Sequence, residues 1–430
     1  MPGGARLSIV SLLLALTGCS LLVDTDVGVR DGGMAGKPDG GSGRAECGTI
    51  SRLQDGFNGT ALDGMWLSGQ VGSHIDPPAL AGGHLRIAFR AGVLAEDVES
   101  SVAFSHYAYD LRGDSVAVRV DSVDPVWRSS LAIGEPGVDR PQIGIGTEGS
   151  SLTAWTLDPP SEPVVFETRR YDPSTDRYWR IRESDGAVEL ETAGDDRVFA
   201  PFARLDDPAF PLDNVYAALA VVSGGASDQD GAIEFDELNQ GAEATPACPI
   251  ADLADSFDPP VPGRLWIDRS VECTVEAGDG TLVGNAPAGT YCDVASAKAY
   301  SIEAGGSLAV EIAAFPTAAG SSVELHLADA DGNRVWIRRR DGVLRAELDV
   351  GDSTVDDFEM ATIVSDGWWR IRESGGDLVV ETAPDGIAWD PQKTFHASGA
   401  IDLAQVRAIL VVAADAEPAS AEIGGVNQTP

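Results

Sequence analysis

This sequence predicts an all-β protein, two tandem β-sandwich domains behind a flexible tether, and three observations predict it. Short runs with period-two alternation ("SVAVRV", "SLAVEI", "SVELHLA", "VWIRRR") recur between Gly, Asp and Pro turns, and no stretch sustains a helical period. A fifteen-residue sentence is written twice, "YWRIRESDGAVELET" from Tyr178 and "WWRIRESGGDLVVET" from Trp368, with nine identities. The anchors around it also recur in order: Cys47 with Cys248, Asp55 with Asp255, Phe57 with Phe257, Trp66 with Trp266, and "ELNQ" with "GVNQ". Such a period is too long for a solenoid and marks a duplicated domain, at about 47–245 and 246–430.

The 430 residues, 43% of them hydrophobic, suffice for cores of that number and size. A net charge of −38 repels a phosphate backbone and an anionic membrane surface, so nucleic acid is excluded as a partner.

The N-terminus comes first in order. Arg6 precedes the apolar run "LSIVSLLLAL" at 7–16, which has signal-peptide length and is too short to span a membrane. "LTGCS" follows. It resembles the bacterial lipobox, which implies a signal peptide over 1–18 and lipidation of Cys19. With Ser20 next, the resemblance also implies the outer membrane of a Gram-negative envelope, with the membrane touched only through the lipid. Residues 19–46 are Gly- and Asp-rich and aperiodic, as a tether should be.

In the repeated sentence, Asp185-Gly186 and Gly375-Gly376 are hairpin turns. The register then sets Arg180 against Glu191 and Arg370 against Glu381, with Trp179, Ile181, Trp369 and Ile371 on the core face. The arginines are expected on a solvated face, as structural ion pairs, with a ligand groove as the competing reading.

The opening "D-x-F…L…W", the "W-x-R-I-R" strand and "ETAPDGIAW" (381–389) resemble the concanavalin A-like lectin/glucanase superfamily with its laminin-G-like modules. That resemblance implies jelly-roll sandwiches, and glycan as the ligand of many relatives. Fold does not fix function.

Four cysteines remain after Cys19, and in an oxidising compartment they should pair. Of three connectivities, Cys273 with Cys292 is expected because the two flank a short strand pair, leaving Cys47 with Cys248. No C-x-x-C spacing supports zinc.

For catalysis and metals the sequence offers weak matches. "ASDQDGAIEFDEL" sets Asp228, Asp230 and Glu237 in calcium-loop register, but Ala226 stands where an acid is needed. Calcium is therefore carried only as a marginal ligand, and no cofactor is expected. In "EFDE" Glu237 follows Asp236 directly, which breaks the one-face carboxylate alternation of a laminarinase strand. The five histidines do not recur, and neither H-E-x-x-H nor G-x-S-x-G occurs.

Trp66, Trp266, Trp179 and Trp369 recur and are assigned to cores. Trp127, Trp155, Trp336, Trp368 and Trp389 lack counterparts and are the candidates for a sugar-stacking surface, with Arg180 and Arg370. The functional expectation is a non-enzymatic surface lipoprotein binding glycan or an extracellular protein. The alternatives are a purely structural envelope protein and a carbohydrate-active hydrolase of the same fold.

Overall fold

The computed structural model describes residues 47–428 except 95–98, 136–139, 160–162, 196, 259–264, 271 and 361–366. The signal peptide, Cys19 and the tether lie outside the described residues. The rest forms two compact units, one ending at Pro246 and the other running from Ala247.

In the first unit the strands are β1 (Trp66–Val71), β2 (Ala79–Ala81), β3 (His84–Phe89), β4 (Ser100–Ser105), β5 (Ser115–Ser122), β6 (Trp127–Gly134), β7 (Gln142–Glu148), β8 (Ser151–Leu157), β9 (Val164–Arg170), β10 (Tyr178–Ser184), β11 (Ala187–Ala193), β12 (Ala200–Leu205), β13 (Tyr216–Ser223) and β14 (Gly231–Asp236). They make two seven-stranded sheets, in the orders β1-β4-β13-β6-β7-β8-β9 and β12-β11-β10-β5-β14-β3-β2.

The second unit has β15 (Cys248–Pro249), β16 (Trp266–Asp268), β17 (Thr274–Gly278), β18 (Thr281–Ala286), β19 (Tyr291–Ser296), β20 (Tyr300–Ser301), β21 (Ser307–Ala314), β22 (Ser322–Ala328), β23 (Arg334–Arg340), β24 (Val343–Val350), β25 (Ser353–Met360), β26 (Trp368–Ser374), β27 (Asp377–Ala383), β28 (Asp390–Phe395), β29 (Arg407–Ala413) and β30 (Ala419–Val426). Its sheets run β16-β19-β29-β22-β23-β24-β25 and β17-β18-β30-β21-β26-β27-β28, the same plan. All pairings within these four sheets are antiparallel, so each unit is a β-sandwich of the jelly-roll class.

Alternation places the cores. On β5, Val116, Val118 and Val120 are buried between half-exposed neighbours, and on β21 Leu308, Val310 and Ile312 repeat the pattern. The duplicated anchors are polar clamps. Asp55 accepts the Phe57 N–H at 2.6 Å and the Trp66 indole N–H at 2.9 Å. Asp255 accepts those of Phe257 at 2.7 Å and Trp266 at 2.9 Å. Near each domain's end, Asn239 and Asn427 donate to the carbonyls of Ile50 and Leu53, and of Ile250 and Leu253. These satisfy buried backbone groups where the chain leaves the sheets.

The repeated sentence is the β10–β11 and β26–β27 hairpin in the expected register. Asp185 and Gly186 both take positive φ, as do Gly375 and Gly376, matching a two-residue primed turn. The shared Glu183 and Glu373 also have a task. Glu183 accepts the N–H groups of Gly113 and Gly186, and Glu373 those of Gly305 and Gly376, tying the turn to the next loop.

Cys273 and Cys292 are disulfide-bonded to each other with Cα atoms 5.6 Å apart, as expected from sequence. The bond joins the lead-in of β17, in one sheet, to β19 in the other. Cys47 and Cys248 each stand in a disulfide too.

Candidate functional site

In the second unit the outer face of the sheet containing β22–β25 carries side chains that the core does not explain. Their registers make rows across the strands. One row is Ile409 on β29, His326 on β22, Trp336 on β23, Glu347 on β24 and Asp357 on β25. The row beside it is Val411, Glu324, Arg338, Arg345 and Glu359, and a third holds Ala328, Arg334, Asp349 and Thr354. Ala295, Ala328, Ile409 and Val411 form a small apolar cluster, so the face is apolar on one side and charged on the other.

The charged half is tightly wired. His326 Nε2–H donates to Glu324 Oε2 at 2.8 Å, and the Ser322 hydroxyl donates to Oε1 at 2.9 Å. Trp336 Nε1–H donates to Asp349 Oδ2 at 2.8 Å, where Arg334 also donates at 3.0 Å. The Thr354 hydroxyl reaches Asp349 at 2.8 Å and Glu347 at 3.2 Å, and Arg345 pairs with Glu347. The Arg338 guanidinium stands 4.7 Å over the Trp336 ring. Burial pushes the Glu324 carboxyl up, but the hydrogen bonds from His326 and Ser322 and the nearby charges outweigh it and hold it below the ordinary glutamate range. Asp349 is likewise opposed by burial and held down by Thr354, Trp336 and Arg334.

The first unit supplies an internal control. Its inward pairs Leu131–Ile145–Ala154 match Leu325–Ile337–Ala346 by register. The outward positions then read Ser130, Gly146 and Thr153 for Glu324, Arg338 and Arg345. They read Ala132, Gly144 and Trp155 for His326, Trp336 and Glu347. The charges are gone. Trp155 lies over Gly144, so an indole covers this place in both units but is delivered from different strands. The hollow beside it, lined by Arg128, Ser130, Gly146, Thr153, Trp155 and Val165, holds about 50 Å³, below the size of a small-molecule site.

The other tryptophan candidates part company with the sequence expectation. Trp127 is fully buried and stacks on Phe89 at 4.4 Å, because it falls on the inward phase of β6. Trp368 is 8% exposed at the start of β26. Trp389 is half-buried, with the Arg370 guanidinium 4.1 Å over its ring; Arg180 sits 3.9 Å over Phe199 at the matching place. The expected solvated face is corrected here. Arg180 and Arg370 donate to Glu191 and Glu381, whose side chains are each only 4% exposed, at 2.5 and 2.6 Å. A register shift falls at each of these glutamates. Their arginines are occupied by carboxylate and ring.

The calcium-loop register is corrected too. Asp230 and Glu237 sit at opposite ends of β14, about 20 Å apart along an extended strand, so they cannot share an ion. Asp230 accepts the Ala91 N–H, Asp228 is exposed, and Glu237 takes Arg119, Arg197 and the Tyr178 hydroxyl. On the same outer face, His84 Nδ1 lies 3.3 Å from Asp121 and 3.6 Å from Asp236, a grouping able to approach a cation. Arg119 already binds both of those aspartates.

No protein-family model matches the chain, and no curated protein matches it. Solved structures do. The catalytic domain of a Thermotoga petrophila laminarinase, an endo-1,3-β-glucanase, is 11% identical with a TM-score of 0.33, over 43% of this chain and 94% of that one. A Crh5 transglycosylase in complex with NAG is 14% identical at 0.33, over 40% and 81%. A pseudo β-1,3-glucanase of Mycobacterium tuberculosis, an immunostimulatory antigen, is 13% identical at 0.31, over 43% and 98%. Each match spans about the length of one sandwich. Likenesses this distant concern the fold and transfer no reaction or ligand. The expectation of a protein without enzymatic activity is nevertheless withdrawn, because the structures it is similar to include glucanases and transglycosylases.

Proposed function

We propose that this chain is a carbohydrate-directed protein of a Gram-negative cell envelope, anchored through lipidated Cys19, and that its second sandwich takes glycan on the outer face of β22–β24. The observation that carries the reading is the row centred on Trp336. A single indole is flanked by Glu324–His326 on one side and by Glu347 and Asp349 on the other. Sugars present hydroxyls in fixed directions, and a dense set of fixed acceptors and donors meets that demand; Trp336, only 6% exposed beneath Arg338, braces the set. The first unit, lacking those charges, is the non-binding partner in this reading.

A second reading is turnover of the glycan on the same face. It is favoured by Glu347 and Asp349, which alternate on β24 and therefore face the same side. A glycosidase needs one ionised carboxylate and one that delivers a proton. Asp349, held ionised, suits the first role, and Glu347 is its neighbouring carboxylate on that face.

Glycan-array binding by the detergent-solubilised full chain tests the proposal. Trp336→Ala should abolish binding while Trp155→Ala keeps it; a Trp336→Ala chain that folds and binds normally would end the reading. Release of reducing ends from any glycan that binds, lost in Glu347→Gln with binding retained, establishes turnover. For the address, metabolic labelling with a palmitate analogue should mark the wild type and miss Cys19→Ser.

A further inference from the structure

We infer that Asn58-Gly59, in the opening loop of the first unit, is a self-modifying site: Asn58 loses its amide to the neighbouring main chain and becomes a mixture of aspartate and isoaspartate, and the isoaspartate slackens the Asp55 clamp. The step needs water and no enzyme. The Gly59 nitrogen gives up its proton and attacks Asn58 Cγ. A C–N bond forms, the Cγ–Nδ2 bond breaks, and ammonia leaves behind a five-membered imide. Water then opens the imide at either carbonyl. One opening gives aspartate. The other gives isoaspartate, in which the main chain runs through the side chain and gains a methylene.

Asn58 is the one asparagine of the chain followed by glycine, which leaves the attacking nitrogen unshielded and the backbone free to turn toward Cγ. Asn58, Gly59 and Thr60 are all exposed and lie outside strands and helices. Among the described residues no hydrogen bond holds the Asn58 amide or the Gly59 N–H. The other asparagines are held. Asn239 and Asn427 clamp carbonyls, Asn333 binds Asp329 and the Gly351 N–H, Asn285 lies in the ladder of β18, and Asn214 is 4% exposed. The duplicate adds an independent control. Asn58 corresponds to Asp258: Asn58 Oδ1 lies over Gly83 and Asp258 Oδ2 over Gly280, at the matching hairpin turns. The second unit already carries the acid, so the scaffold accepts the aspartate product. There Pro259 follows, and its nitrogen has no proton to give, so that ring cannot close. The isoaspartate product has no such precedent. Its extra methylene enters directly after Phe57, which is left-handed at φ 51° with its N–H held by Asp55 at 2.6 Å.

The test ages the full chain in detergent at neutral and at mildly alkaline pH, beside the same chain unfolded in urea, and follows each asparagine by peptide mass mapping. In the folded chain Asn58 should convert ahead of every other asparagine. It should convert faster at the higher pH, because the attack needs the nitrogen without its proton. Its rate should stay within about tenfold of the unfolded chain's, since a loop without backbone hydrogen bonds opens at little cost. Slower conversion than that, or another asparagine converting as fast in the folded chain, overturns the inference. The clamp is read by urea unfolding of the aged chains. The midpoint of aged wild type should fall below that of aged Asn58→Gln, whose longer side chain cannot close the five-membered ring. Equal midpoints with Asn58 converted overturn the link to Asp55.

Discussion

The carboxylate of Asp55 receives the indole N–H of Trp66 at 2.9 Å across eleven residues, and in the second unit Asp255 receives Trp266 at the same distance. The other oxygen of each aspartate holds the N–H of a phenylalanine in left-handed conformation, Phe57 or Phe257. Each opening loop is thus locked by one side chain satisfying two donors. Truncation leaves both unsatisfied, so Asp55→Ala and Asp255→Ala should each cost about 1–3 kcal/mol in urea unfolding. A loss confined to one of the two variants would contradict the equivalence.

The Arg370–Glu381 pair should couple more strongly than a surface ion pair. Glu381 is nearly inaccessible and is reached by both Arg370 and Arg372. A double-mutant cycle with Arg370→Ala and Glu381→Ala is expected to give roughly 1.5–3 kcal/mol, the range for hydrogen bonds to charged groups, above the 0.2–1 of exposed pairs. Coupling below that range would return the hairpin to an ordinary solvated face.

Glu381 also makes a pH prediction. Burial pushes its carboxyl up, yet Arg372 and Arg370 hold it below the ordinary glutamate range in the folded chain. A carboxylate with a depressed native pKa adds stability above its unfolded pKa, and that share is lost as pH falls through the native value. Stability measured from neutral pH downward should therefore fall in the acid range, and Glu381→Gln should flatten part of that fall. An unchanged acid limb in the variant would show that the pair does not carry the effect.

Non-reducing peptide mapping should recover Cys273 linked to Cys292. Replacing both by serine should lower stability by roughly 2–4 kcal/mol, since the bond closes a 19-residue separation between the two sheets of one sandwich. An unchanged unfolding midpoint would mean that β17 docks on β18 without help.

Local rules went far in reading this chain from sequence, and long-range register marks where they stop. The turn at Gly375-Gly376 fixes Arg370 opposite Glu381 because a two-residue hairpin leaves no freedom of register. Trp66, Trp179, Trp266 and Trp369 are buried as their recurrence implies. Trp336 is a candidate from sequence, but its neighbours Glu324, His326, Glu347 and Asp349 are not, because they come from separate strands and meet it only through sheet register. Single alternating residues such as Glu324 and His326 look like any solvated strand face. The Arg180–Phe199 and Arg370–Trp389 stacks escaped notice for a related reason, since the aromatic lies just before the third strand, beyond the repeated sentence.

The indole lying on Gly144 constrains how one copy could have become the other. A methyl group at Gly144 would collide with the Trp155 ring, so a tryptophan in the Trp336 position cannot arrive while Trp155 remains. Trp155→Glu alone would strip the cover from a glycine floor and set a lone carboxylate over it. The two arrangements are therefore separated by at least one poor intermediate. That epistasis makes the two faces hard to interconvert by single substitutions on a shared scaffold.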